Sequence, residues 1–144
     1  MTQSFPKPRE FDAVNGGQSN PFESLVTRLD LMIRARYPLL YIVGAEEEPI
    51  EAVISQVALQ VTPARRVLLW DIVSGWEDNG SGKGSAMAAL ERIGKTVVEE
   101  YTIFVLRDLH PILKYPYTEK NAPVVRELRN LTRELKRSKK TIIL

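Results

Sequence analysis

Leu39-Leu40-Tyr41-Ile42-Val43-Gly44-Ala45-Glu46-Glu47-Glu48-Pro49 is the stretch that decides the fold. Its first five residues form a continuous apolar run, too short for a helix and rich in β-formers, and a glycine stops it. Such a run suits a strand buried on both faces, as in a parallel sheet. The same signature returns at Val67-Leu68-Leu69-Trp70, at Ile103-Phe104-Val105-Leu106 and at Thr141-Ile142-Ile143-Leu144. Between the runs, apolar residues recur at helical spacing. Ile50, Val53, Ile54, Val57, Ala58 and Val61 make one stripe; Ala86, Leu90, Ile93 and Val97 a second; Val124, Leu128, Leu131 and Leu135 a third.

Upstream, Asn20-Pro21-Phe22-Glu23 has the chemistry of a helix start: a capping side chain, a proline at the first position and an acid three residues on. Phe22, Leu25, Val26, Leu29, Met32 and Ile33 follow at helical spacing, ending near Arg36 before Pro38. Helix alternating with strand four times predicts a three-layer α/β sandwich around a doubly wound parallel sheet. The layout resembles that of a P-loop nucleoside triphosphatase, but without the P-loop. Residues 1–19, with Pro6, Pro8, Gly16 and Gly17 among polar neighbours, read as a flexible leader, and residues 20–144 as the domain. The chain is expected to be truncated after its fourth strand, leaving Ile142-Ile143-Leu144 as an uncovered edge.

Composition narrows the chemistry. The chain has 144 residues, 44% hydrophobic and 26% charged, the profile of one ordinary globular domain. It has no cysteine and one histidine, His110, which excludes disulfides, thiolate metal sites, thiol nucleophiles and multi-imidazole centres. No apolar run approaches the ~20 residues of a membrane span. The formal charge is +2. Within residues 126–140, however, seven basic side chains face two acidic ones.

Function in such sheets gathers in the loops after the strands. After the first strand, a phosphate loop would carry bare amides and a lysine. Here Glu46, Glu47 and Glu48 stand instead. Each carboxylate would repel a phosphate charge by ~3 kcal/mol at ~5 Å and an effective dielectric of ~20, more than the ~0.3–1 kcal/mol a helix terminus offers. The glycine-rich stretch Gly75–Ser85 contains Gly82-Lys83. But Glu77 occupies the leading-glycine position, and Gly84 replaces the hydroxyl that would hold magnesium. It reads as a flexible loop closed by Ser85. Asp108 ends the third run, where a magnesium-binding acid would sit, but Leu109 follows in place of a water-orienting glutamate. Asp71 and Asp108 together are too thin for a receiver-type acidic cluster. Lys114, Tyr115, Tyr117 and Lys120 share the next loop, and Arg126, Arg129, Arg133, Lys136 and Arg137 line the polar side of the last helix.

Leu29-Asp30-Leu31-Met32-Ile33-Arg34-Ala35-Arg36-Tyr37-Pro38-Leu39-Leu40-Tyr41-Ile42-Val43, followed by Glu46-Glu47-Glu48, resembles the amino-terminal region of an AAA-type ATPase family. That family is encoded as a hypothetical reading frame in algal chloroplast genomes and occurs throughout cyanobacteria. Trp70-Asp71 with Gly75, Phe104-Val105-Leu106-Arg107-Asp108 and Lys139-Lys140-Thr141-Ile142-Ile143-Leu144 carry the likeness over about residues 22–144. It implies a degenerate AAA-like domain, with ATP, magnesium and the catalytic motifs supplied farther along a longer chain. It further implies ring-forming homo-oligomers, contact with the ATPase module or a protein client, and a cytoplasmic or plastid-stromal setting.

The expected role is therefore non-catalytic: assembly, regulation or client contact. Glu46, Glu47, Glu48, Arg126, Arg129, Arg133 and Arg137 are the candidate contact residues, with no cofactor, metal or catalytic residue in this chain. Two other readings stay open. One is an ATP-binding protein in its own right using Gly82, Lys83 and Asp108. The other is a nucleic-acid module using the basic helix 123–137 and the tyrosine loop.

Overall fold

A computed structural model gives the fold and describes residues 20–44 and 46–144; the leader expected at residues 1–19 lies outside them. In chain order the elements are α1 (Pro21–Arg34), β1 (Leu39–Leu40), α2 (Glu47–Ala58), β2 (Arg66–Asp71) and β3 (Gly75–Trp76), then α3 (Ala86–Lys95), β4 (Thr102–Leu106), α4 (His110–Lys114), α5 (Ala122–Glu134) and β5 (Lys140–Ile143). The start of α1 forms as its chemistry dictates: the Glu23 amide donates to Asn20 Oδ1 at 2.7 Å, with Pro21 in the first turn.

The five strands form one sheet in the order β1-β5-β4-β2-β3, parallel except for β3. Leu68 sits level with Phe104, and Phe104 with Ile142, so the apolar runs stack in register. α1 and α2 cover one face through Val26, Leu29, Ile33, Val53, Ile54 and Val57, packed on Ile103, Val105 and Ile143. α3 and α5 cover the other through Leu90, Ile93, Leu128 and Leu131, packed on Trp70, Phe104 and Ile142. The rings of Trp76 and Phe104 meet edge to face, with centroids 5.7 Å apart. The expected three-layer α/β sandwich is the fold.

Four details depart from the sequence reading. First, β3 is a fifth strand, an antiparallel return from β2 with Trp70 opposite Trp76. Gly75 makes that turn possible: its φ is +74°, and a Cβ there would collide with the carbonyl oxygens of Gly80 and Ser81. Second, β5 is not the edge. It lies between β1 and β4, and Ile142 and Ile143 are buried. Third, β1 is an edge strand and ends at Leu40, so Tyr41 and Val43 beyond it stand 62% and 87% exposed instead of buried on both faces. Fourth, α3 stops at Lys95, where Thr96 turns to an extended backbone while its amide and its hydroxyl both donate to the Arg92 carbonyl, at 2.9 and 2.6 Å. Val97, read as the next member of the stripe, is consequently exposed.

Candidate functional site

The chain passes from β1 through α2 to β2 at the far side of the sheet, then returns through β4 to β5, which lies beside β1. The order therefore reverses next to β1, and the crevice beyond the carboxyl ends of β1, β4 and β5 is the switch point where doubly wound sheets bind ligands. A cavity of about 390 Å³ opens there, lined by Ile42, Gly44, Glu46, Glu47, Glu51 and Arg107, with His110 and Leu144 also at its wall. Gly44 lets the chain pass close over α2, since a Cβ would press into the Ile50 side chain.

Arg107 is the centre of the charge arrangement. Its Nε and Nη2 donate to the two carboxylate oxygens of Glu51 at 2.6 and 2.8 Å, and its Nη1 to Asp71 Oδ2 at 3.4 Å. Glu77 stands 3.9 Å from Nη2. Both members of the forked pair are mostly withdrawn from water, with side chains 21% and 23% exposed. Hydrogen bonding to Glu51, then its charge and those of Glu47 and Glu77, raise the Arg107 pKa against the cost of burial. The pair ties α2 to the end of β4. Glu47 and Glu48 occupy the first turn of α2, where they complement its dipole.

The aspartates are committed to the backbone. Asp71 Oδ1 accepts from the amides of Ser74 at 2.7 Å and Val73 at 2.9 Å. The Ser74 amide is the largest influence holding the Asp71 carboxyl below its usual value, with Val73 and Arg107 adding to it against some burial. Asp108 Oδ2 accepts from the Ile72 amide at 2.8 Å, so it closes the β2–β3 turn from β4.

The glycine-rich segment is not loose. Trp70 Nε1 donates to the Gly82 carbonyl at 3.0 Å, the Gly84 amide to the Ile72 carbonyl at 2.7 Å, and Ser85 Oγ caps α3 through the Ala88 amide. Lys83 is exposed. Gly82-Lys83 thus sits beside β2 and Trp70, whereas the crevice lies at β1; the structure does not bring Lys83 into it, nor Asp108 among the cavity's lining residues. Among the described residues no group of three or more acidic or imidazole side chains could hold a metal ion. A magnesium triphosphate does not fit these donors: the crevice presents carboxylates, its guanidinium is engaged by Glu51, and the two strand-end aspartates are engaged by amides.

Arg126, Arg129, Arg133 and Arg137 are exposed, in and just beyond α5, with Val124, Leu128 and Leu131 buried beneath. Tyr115 and Tyr117 are exposed between α4 and α5. Sequence reasoning missed Arg107 and Glu51. The available signal was an arginine directly abutting a four-residue apolar run, and an acid one helical turn beyond Glu47.

A family model for the SpoVK-like AAA ATPase, N-terminal domain, matches residues 25–144. The chain belongs to that family. It is 36% identical over 127 residues to the AAA domain-containing protein ycf46 of Guillardia theta, covering 85% of this chain and 24% of that protein. The corresponding protein of Trieres chinensis is 32% identical over 120 residues, covering 81% and 23%; that of Pyropia yezoensis is likewise 32% identical over 120 residues, with the same coverage. The chain thus spans about a quarter of the length of the curated relatives it matches. No solved structure matches. No helix among the described residues is long and apolar enough to cross a membrane.

Proposed function

We propose that this AAA N-terminal domain is non-catalytic and serves assembly, regulation or client contact for an ATPase module elsewhere in a longer polypeptide. The observation that carries this is the crevice itself: where a phosphate would approach α2, Glu46 and Glu47 line the wall and Arg107 is already saturated by Glu51. ATP and magnesium then act in the remainder of the protein, in the cytoplasm or the plastid stroma.

The contact surfaces are the acidic start of α2, Glu46–Glu48, and the basic stripe Arg126, Arg129, Arg133 and Arg137. Unlike charges on two separate surfaces of one chain suit head-to-tail, heterologous contact, which closes into rings. Arg129→Glu with Arg133→Glu in the full-length protein is expected to lower the oligomer mass measured by light scattering. An unchanged mass overturns the assignment of that surface. Calorimetry of the 144-residue chain with magnesium ATP is expected to give no saturable heat. A tight signal abolished by Lys83→Ala overturns the non-catalytic reading.

A further inference from the structure

β1 is bonded on one side only. The Pro38 and Leu40 carbonyls accept from the Ile142 and Leu144 amides, both at 2.9 Å, and the Ile42 amide donates to the Leu144 carbonyl at 3.0 Å, which carries the strand pattern one step past β1. These are alternate residues, so the amides and carbonyls of Leu39 and Tyr41 point the other way, where no strand lies among the described residues. The two faces of β1 differ as well. Leu40 and Ile42 pack with α1 and α2. Leu39 turns to the α5 side, and by the alternation of a strand Tyr41 shares that side, 62% exposed. A groove of about 420 Å³ opens there, lined by Leu39, Leu113, Pro116, Val125 and Leu128, with the exposed Arg129 beside them. Parallel sheets are covered on both faces, and apolar edges are paired or covered. In this domain a bare edge and a bare face meet at one strand.

The topology dictates what fits. From β4 to β5 the chain moves one place along the sheet toward β1, and its crossover, α5, lies on the face that carries the groove. Crossovers between parallel strands share one hand in about 98% of cases. A connection that leaves β5 and passes beyond β1 moves in the same direction, so its helix lies on the same face, beside α5, where the groove is. The relatives have the polypeptide to provide it: the matched part is 24% and 23% of two of them, which leaves about three-quarters of each outside it. We propose that the polypeptide following residue 144 docks here as one unit, an amphipathic helix in the groove and a strand paired in parallel with the open edge of β1. The helix sets an apolar stripe against Leu39, Leu113 and Val125 and an acid against Arg129. This rests on the reading that the domain serves a longer polypeptide, and it adds the manner of attachment: the following part is fixed to the domain's own sheet and moves with it, in place of a loose tether.

The amide of Tyr41 reports the pairing. Hydrogen–deuterium exchange of the full-length protein is followed by mass spectrometry, resolved to single residues by electron-transfer fragmentation, at high and at low protein concentration. After correction for local sequence, the Tyr41 amide is expected to exchange at least ~100-fold more slowly than that of the exposed Val97, equally at both concentrations. Exchange as fast as at Val97 overturns the proposal. Protection lost on dilution assigns the edge to a second copy and overturns it too. Val125→Lys places a charge in the groove and should speed exchange at Tyr41 by ~10-fold, while the Phe104 amide in the central strand β4 keeps its protection. Unchanged protection at Tyr41 in that variant overturns the single docking unit. If Phe104 loosens as well, Pro116→Lys, in the loop lining the same groove, takes its place and is judged by the same two amides. Saturable heat with magnesium ATP would unseat the non-catalytic reading and leave the Tyr41 result standing, whereas an unprotected Tyr41 unseats this proposal alone.

Discussion

The forked pair between Arg107 and Glu51 should couple α2 to β4 measurably. Replacing Arg107 with methionine keeps the aliphatic stem but leaves Glu51 and Asp71 without their cation, and Glu51→Gln leaves the guanidinium without its fork. At an effective dielectric of ~20, opposite charges ~4 Å apart attract by ~4 kcal/mol, from which desolvation must be subtracted. The two side chains are 21% and 23% exposed. They therefore fall between surface pairs worth ~0–1 kcal/mol and buried pairs whose disruption costs ~3–5 kcal/mol. A coupling energy of about 2 kcal/mol is expected from the cycle of wild type, Arg107→Met, Glu51→Gln and the double variant. Urea melts followed by circular dichroism provide the four stabilities. For a domain of this size the Arg107→Met melting temperature should fall by roughly 8 °C. A coupling below ~0.3 kcal/mol, or a more stable Arg107→Met, would refute the claim that this pair holds the crevice together.

Gly75→Ala combines a left-handed residue with a collision against the Gly80 carbonyl 2.7 Å away, so a loss of about 3 kcal/mol or failure to fold is expected in the same melts. Arg137 also has a left-handed φ of +68°, but it is exposed and its carbonyl, which accepts from Arg36 Nη1 at 2.9 Å, is kept by glycine; Arg137→Gly should stabilise the domain by about 0.5 kcal/mol, and a loss of more than ~1 kcal/mol would show that its side chain makes a contact. Asp71 and Asp78 are held below 3.8, Asp78 chiefly by its forked hydrogen bonds from Arg92. Their folded values lie below the unfolded ones, so the stability they contribute is complete above about pH 4 and is lost as the pH falls further. The destabilisation caused by Asp78→Asn should accordingly shrink between pH 7 and pH 3; a constant difference would contradict the linkage.

The strands were legible because burial on both faces leaves an unbroken apolar run, and three of the four runs occupy interior positions. Asn20 and Ser85 were legible because capping is local chemistry between a side chain and an amide three residues on. Strand order was not: a run such as Thr141–Leu144 looks the same whether it closes a sheet or is inserted into it, and the side on which each helix crosses leaves no mark in a stripe. β3 left no run at all, since two residues held by a turn and a tryptophan suffice. The chemistry of the crevice was half legible. Glu46–Glu48 announced themselves as local departures from a phosphate loop, whereas Arg107 met Glu51 across 56 positions of sequence. Asp30 was hidden in the same way: it lies four residues after Val26 and three before Ile33, on the buried side of α1, where an acid signals a partner that only the fold supplies.

In a sheet of this topology a bound anion at the switch point does two things: it satisfies the start of the crossover helix, and it draws that helix against the neighbouring strand. Here both tasks are met by side chains of the chain itself. Glu47 and Glu48 provide negative charge in the first turn of α2, and the fork from Glu51 to Arg107 draws α2 to β4. On the proposed reading, a domain that carries its own anion gains no stability from a nucleotide. A site with a Kd of ~10 μM would add about 2.7 kcal/mol at ~1 mM ATP, which for this chain is a rise of roughly 10 °C in the melting temperature. The expected result in differential scanning calorimetry is no shift with magnesium ATP or ADP, for wild type and for Glu51→Gln alike, because breaking the fork leaves Glu46 and Glu47 in place. A nucleotide-dependent rise in the wild type would mean that the carboxylates move aside for phosphate, and the crevice would then have to be read as a binding site whose lid is acidic.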